Sequence, residues 1–282
     1  MKKLEGKVAL VTGVANRLSM GHAVALRLAN EGADVAVVDK YKVPRSGSAA
    51  DKDWGGLDSV AAEIKSTGRK TLAVLADINN SQEVDKAVAE VEKKLGKIDI
   101  LVHCAAIRGP MGVDIADLSE SVWRTVIDVN LTGSFLIAKA VARSMRARGK
   151  GGKMVLISSL AGNRGVPGNG AYSASKWGVI GLAKSMAIEL AKYKIYVNVI
   201  NPGTFPTNLR DDFYIEWAKK EGITPDEAKE KHNEQMVKRI PLGRIGDTKD
   251  IADLVVFLVS DQSDYIVGQA IDICGGWGLM QA

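Results

Sequence analysis

Lys7-Val-Ala-Leu-Val-Thr12 decides the fold of this chain, together with the segments that follow it. The hexapeptide is largely apolar and β-branched, which is typical of a buried parallel strand. Gly13 and a loop of small residues come next, then a periodic run from His22 to Asn30, and then a second strand, Asp34-Val-Ala-Val-Val-Asp39. This order of strand, turn, helix and strand is that of a dinucleotide-binding unit, in which the start of the helix holds the pyrophosphate.

The second strand ends on a carboxylate, Asp39. A carboxylate in this place would accept hydrogen bonds from the 2′- and 3′-hydroxyls of NAD and would repel the extra phosphate of NADP. The sequence therefore predicts NAD as the cofactor, with NADP less favoured. Lys40 and Arg17 work against this preference because either could offer a contact to a phosphate. The alternative interpretation of Asp39 is a solvated acid at the end of a strand.

The loop between the first strand and the first helix departs from the usual Gly-x-Gly-x-x-Gly pattern. It reads Gly13-Val-Ala-Asn-Arg-Leu-Ser-Met-Gly21, two residues longer than usual. Ser19 and Gly21 are small enough to let the backbone approach a phosphate, and the Ser19 hydroxyl could add a donor. Arg17 either lies along the pyrophosphate or points into water. Because backbone N–H groups at a helix start bind phosphate whatever the side chains are, the loop still predicts phosphate binding.

A second constellation is Tyr172-Ser-Ala-Ser-Lys176, with Ser159 thirteen residues upstream of the tyrosine. A tyrosine and a lysine at i and i+4 project from the same face of a helix, and the nearby ammonium favours the tyrosinate. The apolar strand Met154-Val-Leu-Ile-Ser158 delivers Ser159, whose hydroxyl could bond the same substrate oxygen. These residues predict general acid–base chemistry at a carbonyl or an alcohol. Interconversion of the two also needs a cofactor that transfers a hydride. Tyr-x-x-x-Lys by itself also occurs by chance on surface helices.

Strands and helices alternate along the whole chain. This alternation predicts an α/β fold, a single Rossmann-type, doubly wound parallel sheet with right-handed crossovers and helices on both faces. Since the chain shows no linker and no repeat, we expect one NAD(P)-binding domain over residues 1–282. The expected strands span 7–12, 34–39, 70–76, 98–103, 153–158, 194–200 and 269–273.

The composition fits a soluble, cytoplasmic enzyme. The 282 residues are 46% hydrophobic, enough for a sizeable core. Two cysteines, Cys104 and Cys274, and three scattered histidines indicate a reducing compartment and no metal site. We expect no membrane partner, because no apolar run of spanning length and no signal peptide is evident. The net charge of +5 is mild, and the basic cluster from Arg143 to Lys153 is interpreted as a solvated helix end rather than a nucleic-acid site.

The chain resembles the short-chain dehydrogenase/reductase family over essentially its whole length. The matching motifs are Thr12-Gly13, Asp77, Asn130 in Asp-Val-Asn-Leu-Thr-Gly, Ser158-Ser159, Tyr172 with Lys176, Asn201-Pro-Gly203 with Thr207, Pro241-Leu-Gly-Arg-Ile-Gly246 and Gly268-Gln269. The resemblance implies a catalytic tetrad of Asn130, Ser159, Tyr172 and Lys176. In it, Tyr172 is the acid/base, Lys176 lowers its pKa and holds the nicotinamide ribose, Ser159 orients the substrate oxygen, and Asn130 supports a water on the proton relay.

The resemblance also implies the residues that bind the cofactor. Asp77 is expected to contact the adenine, and Thr207 to lie near the nicotinamide carboxamide. The full set is Gly13, Arg17, Leu18, Ser19, Asp39, Asp77, Ile78, Ala105, Tyr172, Lys176, Pro202, Gly203 and Thr207.

Two segments depart from the family pattern. The glycine loop resembles the Gly-x5-Ser-x-Ala loop of enoyl-carrier-protein reductases, with Gly21 in place of the alanine, but that branch spaces its tyrosine and lysine more widely. The catalytic end is therefore that of the main branch. His103-Cys104-Ala105-Ala106 replaces Asn-Asn-Ala-Gly, so backbone contacts to the adenosine ribose can persist while the bracing asparagine is missing. His103 is interpreted as a hydrogen-bonded structural replacement rather than a catalyst.

Two stretches are longer than ordinary connections. Lys40–Gly56 is either a harmless surface insertion or a segment that lies near the adenine or in a neighbouring subunit. Residues 208–239 are expected, by position and resemblance, to form the substrate lid, with Phe213, Tyr214 and Trp217. These aromatic residues either contact a moderately apolar substrate or pack the lid down.

From these features we predict NAD(H)-dependent interconversion of a secondary alcohol and a ketone, with Tyr172 as the acid/base. The alternative enzyme is a 3-oxoacyl-thioester (acyl carrier protein) reductase. An enoyl reductase fits less well because the spacing of tyrosine and lysine differs. A catalytically silent NAD-binding regulator is the alternative from another class, and the complete tetrad argues against it.

The expected assembly is a homotetramer of dihedral symmetry. Two helical runs, near Ser119–Arg148 and Tyr172–Lys192, carry stripes of small residues that let helices approach closely. In the family these helices form the larger interface, and the last strand with its tail forms another. The alternative is a dimer whose tail, Gly268 to Met280, folds over its own cleft. The stripes consist of Gly133, Ala138 and Ala142 in the first run and Ala174, Gly178, Gly181 and Ser185 in the second.

Overall fold

One parallel sheet of seven strands organises the chain in the computed structural model, which describes residues 2–44 and 52–279. The strand order is β3-β2-β1-β4-β5-β6-β7, and every neighbouring pair is parallel. The predicted fold class is confirmed, and each expected strand is present with its ends within two residues of the expected bounds. The strands are Val8–Thr12 (β1), Asp34–Asp39 (β2), Thr71–Leu75 (β3), Ile100–His103 (β4), Gly152–Ile157 (β5), Ile195–Pro202 (β6) and Ala270–Ile273 (β7).

Five helices begin at a residue whose side chain accepts a hydrogen bond from the first turn. Ser19 caps the first helix, Asn80 the third and Ser119 the fourth, while Thr224 and Asp247 form capping boxes. The helices are Met20–Asn30 (α1), Leu57–Ser66 (α2), Ser81–Lys94 (α3), Glu120–Ile127 (α4), Gly133–Arg148 (α5), Gly170–Ala191 (α6), Asp211–Glu221 (α7), Pro225–Arg239 (α8) and Thr248–Val259 (α9).

Two apolar layers cover the sheet, one on each face. Side chains from α1, α2 and α9 pack on one face, and side chains from α3, α5 and α6 pack on the other. All five residues of β1 are buried, which explains why this strand lacks any alternation of polar and apolar residues. The strand order reverses between β1 and β4, and in an open α/β sheet the crevice at such a reversal is where ligands bind.

The fourth and fifth helices form one continuous helical run, Glu120–Arg148, joined by a π-helical turn at Asp128–Thr132. By length and composition this run could cross a membrane, with a mean hydropathy of 1.3 over its most apolar stretch. The expectation that no apolar run reaches spanning length is therefore wrong. Half of that stretch is buried inside the molecule, as in the core helix of a globular protein.

The stripe of small residues on this run is not an external surface. Gly133, Ala138 and Ala142 are buried, and a side chain at Gly133 would collide with Ile78. These residues therefore face the interior of their own subunit and do not support the interface that we inferred from them. On α6 the outward face does include Gly181, whose backbone meets open space.

Candidate active site

The glycine loop presents the start of α1 to the crevice between β1 and β4. The Oγ of Ser19 accepts a hydrogen bond from His22 N at 3.1 Å, so this hydroxyl caps the helix. No acidic residue lies in the first turn, and the positive end of the helix is thus available to a phosphate. A side chain at Gly21 would collide with the carbonyl of Gly13, so the alanine of the enoyl-reductase loop cannot fit here.

Asp39 and Asp77 lie at the ends of neighbouring strands, β2 and β3. Asp39 Oδ2 accepts hydrogen bonds from Val14 N at 2.9 Å and Ala15 N at 3.0 Å, which ties the glycine loop to the end of β2. Lys40 Nζ pairs with Asp77 Oδ2 at 2.6 Å. Burial acts to raise the pKa of Asp77, but Lys40 and the N–H of Asn79 outweigh it and hold that pKa below its ordinary value. Lys40, considered above as a phosphate contact, is thus engaged with a carboxylate.

The described end of the 40–56 insertion packs on the glycine loop. Trp54 Nε1 donates to Ala15 O at 2.8 Å, and the Trp54 ring meets the His22 ring at 5.1 Å. The Arg17 guanidinium lies over Trp54, 5.7 Å from the ring centroid. This segment therefore forms part of the wall of the cofactor crevice. Residues 45–51 of the insertion lie outside the described residues.

The sheet brings Tyr172, Ser159 and Lys176 together. Ser159 precedes a short 3₁₀ turn after β5, Tyr172 is in the first turn of α6, and Ser159 is one of the groups that lower the pKa of the Tyr172 hydroxyl. Lys176 Nζ lies 5.7 Å from the Tyr172 ring centroid and donates to Ile157 O at 2.9 Å. Ser158 Oγ donates to Lys176 O at 2.9 Å, and this bond fastens α6 to the end of β5.

The electrostatics of this group favour the tyrosinate. Burial acts to raise the pKa of Tyr172, but Lys176, Arg108, Ser159 and Arg210 together lower it below its ordinary 10.0. Burial lowers the pKa of Lys176, and this effect outweighs Tyr172 and Cys104, which act to raise it. A phenol with a lowered pKa can exchange a proton with a substrate oxygen in either direction.

Asn130 lies in the π-helical turn and is fully buried. Its Oδ1 accepts from Ile107 N at 2.9 Å, and its Nδ2 donates to Ile107 O at 2.8 Å and to Ser175 Oγ at 3.0 Å. The side chain therefore joins the segment after β4 to α6, one turn from Tyr172. Such π-helical turns are frequent at functional sites.

His103, at the end of β4, lies beneath the site. Its Nδ1 is 2.7 Å from Thr12 Oγ1, and that hydroxyl also accepts from the N–H groups of Cys104 and Ala105 at 3.2 and 3.3 Å. Burial and Lys176 lower the pKa of His103 to about 3, and burial raises the pKa of the Cys104 thiol to about 12. A neutral, hydrogen-bonded histidine that braces two strands matches the structural interpretation of His103.

Two arginines that the sequence analysis missed stand beside Tyr172. The Arg108 guanidinium lies 5.0 Å from the Tyr172 ring centroid and donates from Nε to Asn169 Oδ1 at 3.3 Å. Arg210 ends a 3₁₀ turn, Asn208–Arg210, just before α7, and its charge acts on both Tyr172 and Tyr214. A signal for Arg108 was present, because it is an isolated charge in an apolar, glycine-containing segment after a parallel strand. No comparable signal marks Arg210 among the many charges of its segment.

Helices α7 and α8 form the expected lid segment and carry its aromatic residues. The rings of Phe213 and Tyr214 are 5.6 Å apart and those of Phe213 and Trp217 are 5.8 Å apart. Tyr214 is buried, and its hydroxyl lies 3.1 Å from His232 Nδ1. Of the two interpretations above, the structure favours packing for Phe213 and Trp217, because they build a small apolar cluster between the two helices.

A groove of about 640 Å³ opens beside the glycine loop and is lined by Leu18, Pro206 and the segment Arg244–Asp250. Two predicted cofactor residues lie on the segment after β6. The backbone N–H of Gly203 donates a hydrogen bond to Ile273 O at 3.0 Å, and Thr207 immediately precedes the 3₁₀ turn Asn208–Arg210. Ile78 is buried against the position of Gly133, and Ala105 abuts Gly13. This volume, the uncompensated helix start and the carboxylate of Asp39 fit a dinucleotide cofactor.

Comparison with known proteins decides the family. The family profile described as enoyl-(acyl carrier protein) reductase matches residues 13–278. The 3-oxoacyl-[acyl-carrier-protein] reductase of Thermotoga maritima is 35% identical over 274 residues, which are 97% of this chain and 98% of that protein. The chain belongs to the short-chain dehydrogenase/reductase family. It is thus an oxidoreductase whose fold binds a nicotinamide cofactor.

Two solved structures of the short-chain dehydrogenase/reductase family resemble the whole chain. One is NAD⁺-bound xylitol dehydrogenase, with a TM-score of 0.83 and 32% identity, covering 98% of this chain and 100% of that one. The other is actinorhodin polyketide ketoreductase with NADPH, with a TM-score of 0.84 and 30% identity, covering 99% of this chain and 100% of that one. These relatives differ in both substrate and cofactor.

Proposed function

We propose that this short-chain dehydrogenase/reductase is a soluble, cytoplasmic enzyme that interconverts a secondary alcohol and a ketone with NAD(H). The main support is the buried Tyr172, which is flanked by Lys176 and whose pKa is lowered by Lys176 and by Ser159. In this arrangement the Tyr172 hydroxyl can donate a proton to a substrate that lies between the crevice at β1 and β4 and the proposed lid, α7 and α8. A bound nicotinamide cofactor supplies the hydride for reduction or takes it up in oxidation.

In the reducing direction, Ser159 and Tyr172 bind the ketone oxygen by donating hydrogen bonds to it. As negative charge develops on that oxygen, Tyr172 gives up its proton, and the neighbouring cations Lys176 and Arg108 stabilise the phenolate that remains. In the oxidising direction the phenolate accepts the proton of the alcohol. Asn130 contributes by holding α6 against the segment after β4.

The preference for NAD is supported by Asp39 at the end of β2. Its carboxylate stands where a ribose 2′-hydroxyl is bound in folds of this kind, and an added 2′-phosphate would meet a negative charge. The relatives divide on this point, since xylitol dehydrogenase is bound to NAD⁺ and the actinorhodin ketoreductase to NADPH. We expect catalytic efficiency (kcat/KM) to be at least tenfold higher with NADH than with NADPH. In the variant Asp39→Ala, the ratio of the efficiency with NADH to that with NADPH should be smaller. A higher efficiency with NADPH in the unchanged enzyme would refute the preference.

A second candidate function is reduction of a 3-oxoacyl thioester, supported by the T. maritima relative. This reaction uses the same tyrosine and the same hydride donor, so only the substrate distinguishes it. Testing acetoacetyl thioester beside cyclic alcohols, hydroxysteroids and polyols separates the two candidates. NADH binding without turnover of any compound would instead favour a regulator.

The acid/base assignment is tested by Tyr172→Phe. Loss of this hydroxyl removes the proton donor, and we expect kcat to fall by about 10²–10⁴-fold while the dissociation constant of NADH stays within about threefold. Tyr265→Phe is the matched control, because Tyr265 is fully exposed and distant in sequence from the site. Persistence of activity in Tyr172→Phe would show that another group donates the proton.

A further inference from the structure

Arg108 and Arg210 stand beside the reacting position and have no carboxylate partner within residues 2–44 and 52–279. Ion pairs with a carboxylate are formed by several other described arginines, including Arg27, Arg69, Arg124, Arg148 and Arg244. Among the described residues, no carboxylate oxygen lies within 4.0 Å of the Arg108 or Arg210 guanidinium. This is unusual, since proteins normally pair the charges that they remove from water.

The polar contacts of the two guanidiniums are few. Arg108 donates from Nε to Asn169 Oδ1, and Arg210 acts on Tyr214 by lowering the pKa of its hydroxyl against the effect of burial. Arg210 Nε is buried and has no hydrogen-bond partner among the described residues. Each guanidinium has five N–H donors in a planar fork, so most of this capacity is unused by the described chain.

The two cations also act on each other. Burial and the charge of Arg210 lower the pKa of Arg108 to about 10. Burial and the same two arginines lower the pKa of His232 to about 4, so this neighbour is neutral near pH 7 and adds no further positive charge. Among the described residues, the acidic side chain whose charge reaches the group is Asp211, which acts on Tyr214. The cleft beside Tyr172 therefore has an excess of positive charge.

We propose that Arg108 and Arg210 together bind an anionic group, a carboxylate or a phosphate, carried by the alcohol or ketone substrate within a few bonds of its reacting carbon. The distance supports this, because Arg108 is 5.0 Å from the ring of the tyrosine that would exchange the proton. Two guanidinium forks suit a carboxylate or a phosphate better than a neutral hydroxyl. This inference rests on the function proposed above and narrows its substrate class to short oxo acids, hydroxy acids or their phosphorylated counterparts.

The experiment uses pairs of substrates that differ only in the anionic group. Acetoacetate is compared with its methyl ester, and dihydroxyacetone phosphate with dihydroxyacetone, each at saturating NADH. We expect kcat/KM for the charged member of one pair to exceed that for the neutral member at least tenfold. The pair that shows the preference identifies carboxylate or phosphate as the group bound.

Arg210→Gln tests the assignment to residues. We expect this variant to lower the charged-to-neutral ratio at least tenfold, mainly through KM, and Arg210→Lys to lower it less. Arg124→Gln is the matched control, since Arg124 is exposed on α4 and paired with Glu120, and it should leave the ratio unchanged. A ratio near one in the unchanged enzyme, or an equal effect of Arg210→Gln on both members, would overturn the inference.

Binding of malonate to the NADH-saturated enzyme, measured by calorimetry, separates this inference from the proposed function. We expect malonate to bind, and the double variant Arg108→Gln, Arg210→Gln to bind at least tenfold more weakly. Turnover of neutral ketones without malonate binding would overturn the anion site alone. Malonate binding without turnover of any pair would overturn the proposed reaction and leave the anion site standing, and absence of both would overturn both.

Discussion

At the scale of single residues, the chemistry of the site depends on how positive charge is distributed around one phenol. Lys176 and Arg108 each favour the tyrosinate of Tyr172 against the cost of burial. Neither His103 nor His232 adds a charge near neutral pH, because their pKa values are lowered to about 3 and about 4. The pH dependence of the reaction should therefore reflect the ionisation of the Tyr172 hydroxyl.

Oxidation of an alcohol needs the tyrosinate, so its kcat/KM should rise with pH to a plateau whose midpoint lies below the ordinary pKa of 10.0. Arg108→Gln removes a cation 5.0 Å from the ring and should move this midpoint to higher pH. Reduction needs the protonated phenol, and its decline should move in the same direction. The profile is measured with a neutral substrate, so that binding of an anion plays no part. An unmoved midpoint would contradict the electrostatic role of Arg108, and Arg124→Gln should leave the profile unchanged.

At the scale of elements, the start of α1 depends on the absence of a side chain at Gly21. Gly21→Ala would force a methyl group against the Gly13 carbonyl and push the loop away from the helix start. We expect the free energy of unfolding to fall by about 1–3 kcal/mol and NADH binding to weaken. Thermal unfolding and NADH titration measure both effects.

The control for this substitution is Gly165→Ala, because Gly165 has open space around its Cα and no positive φ. It should leave both quantities close to those of the unchanged protein. Equal NADH affinity in Gly21→Ala would mean that the loop tolerates the alanine of the enoyl-reductase pattern.

The strands and helices that are defined by a local sequence pattern could be predicted from the sequence. β1 and β2 are continuous apolar runs, and α6 carries Tyr172 and Lys176 one turn apart, so periodicity and spacing located them. Arg108 and Arg210 become neighbours only through the folding of β4 and the lid segment, and no local pattern records that proximity. The stripe with Gly133 failed for a similar reason, because small residues mark close approach without telling whether the neighbour is the same chain or another.

At the scale of the whole molecule, the outer face of α6 carries two exposed apolar side chains. Trp177 is 53% exposed and Ile188 is 81% exposed, and Gly181 lies between them on the same side of the helix. Exposed apolar side chains at helical spacing are typical of a subunit interface. The homotetramer stays a prediction, now placed on this face rather than on the buried stripe of α5.

Ile188→Arg tests the predicted assembly. A charge in the centre of the α6 face should shift the mass in solution from tetramer to dimer or monomer, measured by light scattering at micromolar concentration. Leu75→Arg is the control, since Leu75 is also an exposed apolar residue, 56% exposed, but lies at the end of β3. A monomeric unchanged protein would refute the assembly altogether.

The indole of Trp54 rests on the loop that would receive the pyrophosphate, bonded to Ala15 O and covered by Arg17. Any movement of that loop on cofactor binding changes the surroundings of a natural fluorophore. Reduced nicotinamide absorbs at wavelengths near those at which tryptophan emits, so energy transfer to a bound reduced cofactor would quench the fluorescence of Trp54. The crevice thus contains its own optical reporter, which makes cofactor occupancy readable without a label and before any substrate is found.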